Sequence, residues 1–503
     1  MSRGTIALRP ARTTRVLTAA WLLLLASSAF YFLSTNEADN DLWGHVYFGR
    51  AIVQAGDVIR HDPYTYTAPN APWMNHEWLS QVLLYAAYAR AGGPGLWVLK
   101  FAVTLATAAL LFARVRAVAI RNAASPWVWG PVGLLALAVL SRGGAIRPQM
   151  FSYLGFAAVL AWCDREHARG GWWLPLAFVV WVNLHGGFVL GLGVLALYAI
   201  VAITTGPTSQ RGRTLVLLML SLAATLVNPY GWRLLTYIAG ELTVEHPITE
   251  WQAAAVGDVS QQTFFALLAL YIVTLPFARW REQSWQTVLA IATAAMALQH
   301  QRHTPVFAIA AAAPTAAQMA AAVRWWPWRR FVFSAGAQRL LGGALIALAL
   351  AQVTLQGRRL VADRFAVVFD PNDYPVDAVR ALAADTGDLN LAVPLDWGEY
   401  VLWHVAPRVK VSLDGRFATL FPPAVVRDNF NFFAGEGEWT RLLTAYPTEA
   451  ALVPRAAPCL IRQQPGWQRV YVDSIAEIYV RSDRVASVHL GATLPQPTSG
   501  IFP

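Results

Sequence analysis

Apolar runs recur along the first 356 residues of this chain, separated by short breaks that carry arginine. A helix that spans a bilayer needs about 20 largely apolar residues, and eleven of the runs reach or approach that length. Only 14% of the 503 residues are charged, whereas about a quarter is usual for a soluble domain. We therefore expect an α-helical polytopic membrane protein with eleven transmembrane helices, at 14–33, 96–113, 126–141, 148–163, 172–185, 187–205, 214–228, 262–278, 285–299, 305–322 and 339–356.

The arginines between the runs predict the orientation. If the basic N-terminus is cytoplasmic, every second loop is cytoplasmic too, and each of those loops carries at least two arginines, as the positive-inside rule requires. These loops are 114–121, 164–171, 206–213, 279–283 and 323–339. The C-terminus then lies on the non-cytoplasmic face, periplasmic or extracellular. The Arg- and Ala-rich composition is typical of a bacterial chain, so we expect the inner membrane, with the first run kept as an uncleaved anchor.

Two features of the chain have a second interpretation. Residues 76–91 are apolar enough to span, but a span there would invert every later loop, so we expect an amphipathic helix in the membrane interface. The net charge of +10 is typical of nucleic-acid-binding proteins. Many of the arginines, however, lie in short loops between apolar runs, where they set orientation. We expect the lipid bilayer as a partner and no nucleic acid.

The tail of the chain has a different character. Charges return, long apolar runs end, and strand-like runs at 390–394, 409–413, 450–453, 469–472 and 476–480 alternate with helical stretches. This alternation predicts a soluble α/β domain. The expected organisation is a transmembrane domain at 1–356, with a first outer loop at 34–95, followed by a non-cytoplasmic domain at 357–503.

Two carboxylates, Asp39 and Asp41, follow the first apolar run directly, and His45 comes four residues later. Carboxylates beside a bilayer are costly to desolvate, so they usually face a cavity and have a function there. Asp41 and Asp39 are candidates for a general base, and Asp41 with His45 for a site that binds Mg²⁺ or Mn²⁺. The alternative is a pair of solvated residues at a helix exit.

Cations gather on the same outer side. The loops of Arg147 and of His300, Arg302 and His303 lie outside, against the orientation rule, and binding an anion such as a donor phosphate would explain their charge. A snorkelling arginine at a helix start is the alternative for Arg147. Further cleft candidates are polar residues at or near the ends of apolar runs: His76, Glu77, Asn183 and His185.

The tail contains two acidic motifs, Asp396-Trp397-Gly-Glu-Tyr400 and Asp414-Gly-Arg416. They follow predicted strands, where acidic turn residues are common. The functional alternative is a site for the acceptor substrate.

The first outer loop carries three sequence elements that resemble a known family. It reads Asp39-Asn-Asp41-Leu-Trp-Gly-His45, then Asp62-Pro-Tyr-Thr-Tyr, then Pro72-Trp-Met-Asn-His76-Glu77-Trp-Leu. This loop resembles that of bacterial GT-C glycosyltransferases of the mannosyltransferase-like and arabinosyltransferase-like kind. Arg147-Pro-Gln, Asn183-Leu-His185-Gly-Gly and the two tail motifs resemble an uncharacterised group within it. The tail is also similar, with a reordered motif, to the acceptor-binding domain of oligosaccharyltransferases.

The resemblance implies a hexosyl- or pentosyltransferase that takes a sugar from a polyprenyl-phosphate donor on the non-cytoplasmic face, with inversion. The acceptor is a glycan, a lipid or a protein, and Asp41 is the implied base. Fixed cations then stabilise the phosphate leaving group. The alternatives are a transporter or flippase of a lipid-linked saccharide and a glycan-binding membrane protein.

Overall fold

The computed structural model describes residues 12–165, 170–205, 208–241, 249–325, 334–385, 387–491 and 500–503. Its first part is a bundle of helices, and each predicted span overlaps one of them. The helices are α1 (Arg12–Leu33), α2 (Asn40–Ala55), α3 (Trp78–Arg121), α4 (Pro126–Leu140), α5 (Gln149–Cys163), α6 (Leu174–Leu184), α7 (Phe188–Thr205), α8 (Thr208–Ala224), α9 (Arg233–Glu241), α10 (Gln262–Thr274), α11 (Trp280–Gln299), α12 (Thr304–Trp325) and α13 (Ala335–Ala362).

Length and composition allow membrane crossing by several helical segments. Within the described ranges five are long and apolar enough: Arg15–Leu33, Trp78–Arg121, Val259–Phe277, Gln301–Trp325 and Ala335–Ala362. Shorter apolar helices lie at Gln149–Cys163, Leu174–Leu184 and Phe188–Thr204. The predicted polytopic membrane protein is thereby confirmed, while the crossing of all eleven spans and the orientation of the termini stay predictions.

The segment at 76–91 is helical from Trp78 onward, where it forms the first part of α3. The helix is broken at Ala91 and Gly92, where Gly92 has φ 59° and ψ −145°. An L-residue with a side chain rarely adopts this conformation, and Pro94 just beyond it lacks a backbone N–H. The break separates the segment that packs on α2 from the long apolar part of α3. Its position in the membrane interface stays a prediction.

Helix α12 runs through the centre of the bundle, where it packs against α3, α4, α5, α10 and α11. Its residues 308–313 are five alanines and one isoleucine, each at most 3% exposed. Small side chains let helix backbones approach closely, which favours packing between membrane helices. The N-terminus of α12, at Thr304, is therefore held rigidly at one end of the bundle.

The tail forms the predicted α/β domain. Its five-stranded sheet has the order β2-β1-β3-β5-β4, with β1 parallel to β2 and β3, and β5 antiparallel to β3 and β4. All five predicted strands are present, and the tail elements are α14 (Val376–Ala383), β1 (Leu389–Ala392), α15 (Leu395–Val405), β2 (Val409–Val411), α16 (Pro423–Ala434), α17 (Arg441–Thr444), β3 (Ala450–Pro454), β4 (Trp467–Val472) and β5 (Ala476–Arg481).

The boundary between the two parts lies later than predicted. Helix α13 continues to Ala362, whereas the apolar pattern ended at 356. The last turns are amphipathic: Leu360 is fully buried, while Arg359 Nη2 reaches Glu37 Oε1 at 2.6 Å. The helix therefore leaves the apolar layer before it ends, which hydrophobicity alone does not reveal.

The tail is docked tightly onto the first outer loop. The backbone of Thr65 pairs with that of Val411 in a parallel bridge that extends the sheet beside β2. The indole of Trp43 on α2 is fully buried against aromatic rings of the tail, among them Tyr400 at 4.8 Å and Phe502 at 4.4 Å between ring centroids. The first outer loop and the tail thus share one continuous core, which is separate from the core of the helix bundle.

Candidate active site

Asp39 and Asp41 begin α2. Asp39 is the N-cap residue, with φ −99° and ψ 156°, and its Oδ1 accepts the backbone N–H of Asp41 at 3.0 Å. Aspartate is among the preferred N-cap residues because it accepts such an otherwise unpaired N–H. Asp41 lies in the first helical turn, where the helix dipole favours a negative charge. The Asp-x-Asp spacing therefore starts the helix and also places both carboxylates at its end.

One guanidinium binds both of these carboxylates. Arg147 Nε lies 2.6 Å from Asp39 Oδ1, its Nη2 lies 3.3 Å from Asp41 Oδ2, and its Nη1 lies 2.5 Å from Glu250 Oε1. We call these four residues the Arg147 cluster. Three predicted residues, Asp39, Asp41 and Arg147, are thus brought together from two distant parts of the chain. Glu250 was not predicted as a site residue.

The electrostatic balance in this cluster acts mainly on Asp41. Burial raises its pKa to about 7, against the attraction of Arg147, and the charges of Asp39, Glu250 and Glu77 act in the same direction as burial. Its side chain nevertheless keeps 33% of its surface exposed. A reachable carboxylate with a pKa near neutrality is suited to act as a general base, because it is both ionised in part and basic enough to accept a proton.

A cleft of about 250 Å³ borders the cluster where α4 ends and α5 and α12 begin. Three arginines meet in it, and its lining residues are Arg142, Gly143, Ala145, Arg147, Gln149, Tyr153, Glu250, Gln301, Arg302, Thr304 and Pro305. Arg147 is paired with carboxylates, whereas Arg142 and Arg302 take part in none of the ion pairs of the described residues, so these two arginines supply the positive charge in the lining. The cleft is suited to an anion.

Several polar atoms in the cleft have no protein partner. Among the described residues, Arg142 Nε, Thr304 Oγ1 and Gln149 Oε1 are buried without a hydrogen bond. Buried polar atoms are usually paired, so unpaired ones point to a ligand or to water. Thr304 also begins α12, and a helix N-terminus attracts anions. Two of the three atoms belong to hydrogen-bond donors, which matches phosphate oxygens.

The predicted cations divide into two groups. Arg147 and Arg302 line the cleft, and Arg302 stacks over the ring of Trp251, 4.5 Å from its centroid. His300 and His303 do not line it: His300 Nδ1 donates to the carbonyl of Trp251 at 2.6 Å, and His303 packs edge-on against His300. The cleft therefore excludes both histidines, and their role in binding the donor phosphate stays a prediction. The cleft includes Arg142, from the loop that also carries Arg147.

A second polar group surrounds Glu77. Its Oε1 lies 3.8 Å from His76 Nε2 and 3.6 Å from His185 Nε2. The Nδ1 atom of His185 accepts the backbone N–H of Gly187 at 2.9 Å, so a neutral His185 carries its proton on Nε2, towards Glu77. The structure thus brings together three of the four further cleft candidates, His76, Glu77 and His185.

The fourth of these candidates is Asn183, and its side-chain amide makes its hydrogen bonds within the fold. Its amide donates to the carbonyls of Val179 and Val227, both at 2.8 Å, and its Oδ1 accepts the indole N–H of Trp78 at 2.8 Å. These bonds tie the end of α6 to the start of α3. Glu245 and His246, which the orientation also placed outside, lie beyond the described residues.

Few protein ligands are available for the predicted divalent cation. Within the described ranges no three His, Cys, Asp or Glu side chains are grouped so that they could hold a metal ion. The Asp39 and Asp41 oxygens face a guanidinium, which already supplies the positive charge that they require. His45 is 8% exposed, and burial lowers its pKa. The Mg²⁺ or Mn²⁺ site predicted at Asp41 and His45 therefore stays a prediction without a third protein ligand.

The tail candidates lie at the docking surface. Arg416 binds Asp62 at 2.6 Å and Asp414 at 2.7 Å, and all three side chains are at most 3% exposed. We call these three residues the Arg416 cluster. Trp397, 6% exposed, donates its indole N–H to the carbonyl of Asp373. These residues are buried and hold the fold together.

The other two tail candidates differ in exposure. Tyr400 is buried against Trp43. Asp396 alone among the five tail candidates is exposed, and it interacts with Asn40 beside the Asp-x-Asp motif. Of the five tail candidates, Asp396 is thus the one whose side chain is open to solvent, and its acceptor role stays a prediction.

Comparisons with known proteins show the fold. No family model and no curated protein matches the chain. The structure of ArnT from Cupriavidus metallidurans in the apo state is similar, with a TM-score of 0.54 and 16% identity over 95% of this chain and 99% of that chain. A second structure of that protein, bound to undecaprenyl phosphate, has a TM-score of 0.47 and 14% identity over 96% and 99%. The likeness to the apo structure confirms the predicted fold, a polytopic helical membrane protein with a C-terminal domain.

Proposed function

We propose that this protein is a membrane glycosyltransferase of the inverting type. It transfers a hexose or pentose from a polyprenyl-phosphate donor to a glycan, lipid or protein acceptor on the non-cytoplasmic face of a bacterial inner membrane. The observation that carries the proposal is the reachable Asp41 carboxylate, held by Arg147 at the wall of an arginine-lined cleft. The fold likeness supports the same class, as an analogy.

The cleft is the site for the donor phosphate. Arg142 and Arg302 contribute positive charge, and Thr304 contributes a hydroxyl at the start of α12. These groups lie at one end of the helix bundle, where a lipid carrier places its phosphate while its chain stays among the apolar helices. Fixed donors in a partly dry site stabilise the charge that develops on a phosphate leaving group.

Arg147 has a different role from the other two arginines. Its Nε and Nη1 atoms donate to Asp39 and Glu250, and its Nη2 atom makes an ion pair with Asp41, although each terminal nitrogen carries a second N–H. Its guanidinium therefore orients Asp41 first, and contacts the donor phosphate only through the N–H groups that remain. It links the base to the phosphate site.

The chemical step is a single displacement. Asp41 accepts the proton of the acceptor hydroxyl while the hydroxyl oxygen attacks the anomeric carbon. The bond between that carbon and the phosphate oxygen breaks, and polyprenyl phosphate leaves with the bonding electrons. Attack opposite to the leaving group inverts the anomeric configuration. Asp41 then returns its proton to solvent, which its partly exposed side chain allows.

The experiment is a transfer assay on membranes that contain the full chain, with radiolabelled polyprenyl-phosphate sugars as donors. Asp41→Asn keeps the size of the side chain and removes the base, so we expect transfer to fall by about 100-fold or more. Asp57→Asn is the matched control, because Asp57 lies in the same loop, is exposed and pairs only with Arg60 among the ion pairs of the described residues.

Two outcomes would contradict the proposal. One is full transfer activity by Asp41→Asn at a normal level of folded protein. The other is movement of an intact lipid-linked saccharide across proteoliposomes by a wild-type protein that transfers no sugar, which would favour a flippase.

A further inference from the structure

Tail residues hold the Asp-x-Asp motif on both sides. On the N-terminal side, the N–H of Ala38 donates to the carbonyl of Val368 at 2.7 Å, and the N–H of Val368 donates to the carbonyl of Asn36 at 2.8 Å. Between the two aspartates, Asn40 Oδ1 accepts the hydroxyl of Tyr374 at 2.8 Å. The backbone that carries Asp39 and Asp41 is thus bonded directly to the tail.

On the C-terminal side the contact is made by Glu399 of α15. This glutamate is 4% exposed, and its Oε2 accepts the backbone N–H of Gly44 at 3.0 Å. Gly44 follows Asp41 by three residues and therefore lies on the same face of α2. A Cβ atom at Gly44 would lie 2.1 Å from Glu399 Cδ, so only glycine permits this approach.

Glu399 and Asp41 also converge on a second glycine. A Cβ atom built on Gly415 would lie 2.7 Å from Glu399 Oε1 and 2.8 Å from Asp41 Oδ1. Gly415 lies between Asp414 and Arg416, whose ion pairs fix this tail loop in place. The carboxyl groups of Glu399 and Asp41, which come from separate parts of the chain, therefore both lie against the backbone of Gly415.

The charge around Glu399 favours its neutral form. Burial raises the pKa of Glu399 well above its usual value, and the charges of Asp41 and Asp414 raise it further. The nearest cation, Arg416, is already bound by two carboxylates. A neutral carboxyl beside Asp41 adds no repulsion, so the negative charge stays on Asp41, where Arg147 balances it. Glutamine should imitate this neutral group closely.

We propose that Glu399 is a positioning residue for Asp41, and that the tail is thereby part of the active site. Glu399 fixes the first turns of α2 through Gly44, and Tyr374 assists through Asn40. The inference rests on the proposed function of Asp41 as the base. It goes beyond that function because it assigns the tail a role in the chemical step.

The test compares kcat, KM and thermal unfolding of the full-length protein in four variants. Glu399→Ala removes the contact, and since small misplacements of reacting groups cost up to about 100-fold, we expect kcat to fall by about 10- to 100-fold with KM nearly unchanged. Glu399→Gln should restore most of kcat. Tyr374→Phe deletes one hydroxyl and should lower kcat by a smaller factor, about threefold to tenfold.

Glu449→Ala is the matched control. Glu449 also accepts a backbone N–H, that of Asn390 at 3.1 Å, but within the tail. We expect it to change the unfolding temperature without changing kcat per folded molecule. Equal losses of kcat in Glu399→Ala and Glu449→Ala, or no loss in Glu399→Ala, would overturn the proposal. If Glu399→Ala does not fold, wild-type kcat in Tyr374→Phe would overturn it.

The same measurements separate this inference from the proposed function. Full activity of Asp41→Asn would show that Asp41 is not the base, whatever the tail variants do. Loss of activity in Asp41→Asn together with normal kcat in Glu399→Ala would leave the function intact and remove only the role of Glu399.

Discussion

Two arginines of this protein bind clusters of carboxylates, and the two clusters differ in almost every other respect. In the Arg416 cluster, the arginine side chain is 3% exposed and both aspartates are fully buried. In the Arg147 cluster, the arginine is 17% exposed, Asp41 is 33% exposed and Glu250 is 42% exposed. Both clusters pair one arginine with carboxylates, but the Arg416 cluster is buried and the Arg147 cluster is accessible to solvent.

The two clusters also differ in how completely their charged groups are paired with neighbouring protein groups. The guanidinium of Arg416 lies over the rings of Phe48 and Trp73 at 4.9 and 4.8 Å, and Asp62 also accepts the N–H groups of Tyr64 and Thr65. Such a group cannot exchange partners without unfolding its surroundings. The Arg147 cluster instead borders a cleft, where the proposed function places the substrate. Burial and saturation, not residue type, set the two clusters apart.

The largest expected effect is on stability, from Arg416→Ala. The change leaves Asp62 and Asp414 buried without their cation, and breaking such a pair costs about 3–5 kcal/mol. We expect a large fall in the unfolding temperature and in the yield of folded protein, measured by thermal unfolding in detergent. A stability loss below about 1 kcal/mol would contradict this prediction, because the cluster would then contribute no more to stability than an ordinary surface ion pair.

The next effect is on catalysis, from Arg142→Ala and Arg302→Ala in the cleft. Loss of one fixed donor to a developing anion lowers rates by about 100- to 1,000-fold, and both side chains are partly exposed, so stability should change little. Initial transfer rates at saturating donor check this. Arg90→Ala is the control, since Arg90 is exposed on α3. Near-normal rates in both cleft variants would show that the donor phosphate does not bind in this cleft.

A third prediction concerns pH. Asp41 must be ionised to act as the base, and its pKa is raised to about 7, so kcat/KM should fall as the pH drops below about 7. Because the charge of Arg147 lowers that pKa, Arg147→Gln should move this acidic limb to higher pH, by about one unit or more. A wild-type limb near the usual aspartate value of about 4 would contradict the assignment.

The smallest effect is expected at an exposed ion pair between the first outer loop and α13. Glu37 binds Arg359 at 2.6 Å, but their side chains are 68% and 45% exposed. Exposed pairs contribute about 0–1 kcal/mol. Glu37→Gln should therefore leave both transfer and the unfolding temperature close to wild type, and a strong loss of either would show that exposure does not separate the classes of cluster.

Local pattern predicted much of the fold. The apolar runs correspond to helices and the alternating runs of the tail to strands, because burial in a bilayer or a sheet imposes a period on neighbouring residues. The end of α13 was misplaced because its last turns are amphipathic. The docking of the tail was not predicted, since Asp62 and Arg416 are 354 residues apart and no local pattern records their contact.

The candidate site was predicted only in part, because some of its residues carry a local sequence signal and others are brought in by contacts between distant parts of the chain. Asp41 and Arg147 carry local signals, an acidic pair at a span end and an arginine on the disfavoured side of the membrane. Glu399 lies within the acidic motif at 396–400, but nothing in that motif links it to Asp41, because two glycines distant from each other in the chain let it approach Asp41. The acidic motifs of the tail allow two interpretations from sequence, ordinary turn residues or an acceptor site, and burial, which their sequence does not show, makes most of them structural.

The most direct test of the account compares Asp41→Asn with Asp62→Asn in the same two measurements, the transfer rate per folded molecule and the unfolding temperature. We expect Asp41→Asn to lose transfer by about 100-fold or more at an unchanged unfolding temperature. We expect Asp62→Asn to lower the unfolding temperature and to keep its transfer rate per folded molecule. The reverse pattern, or the same pattern in both variants, would contradict the division of this molecule into a sealed structural cluster and an open catalytic one.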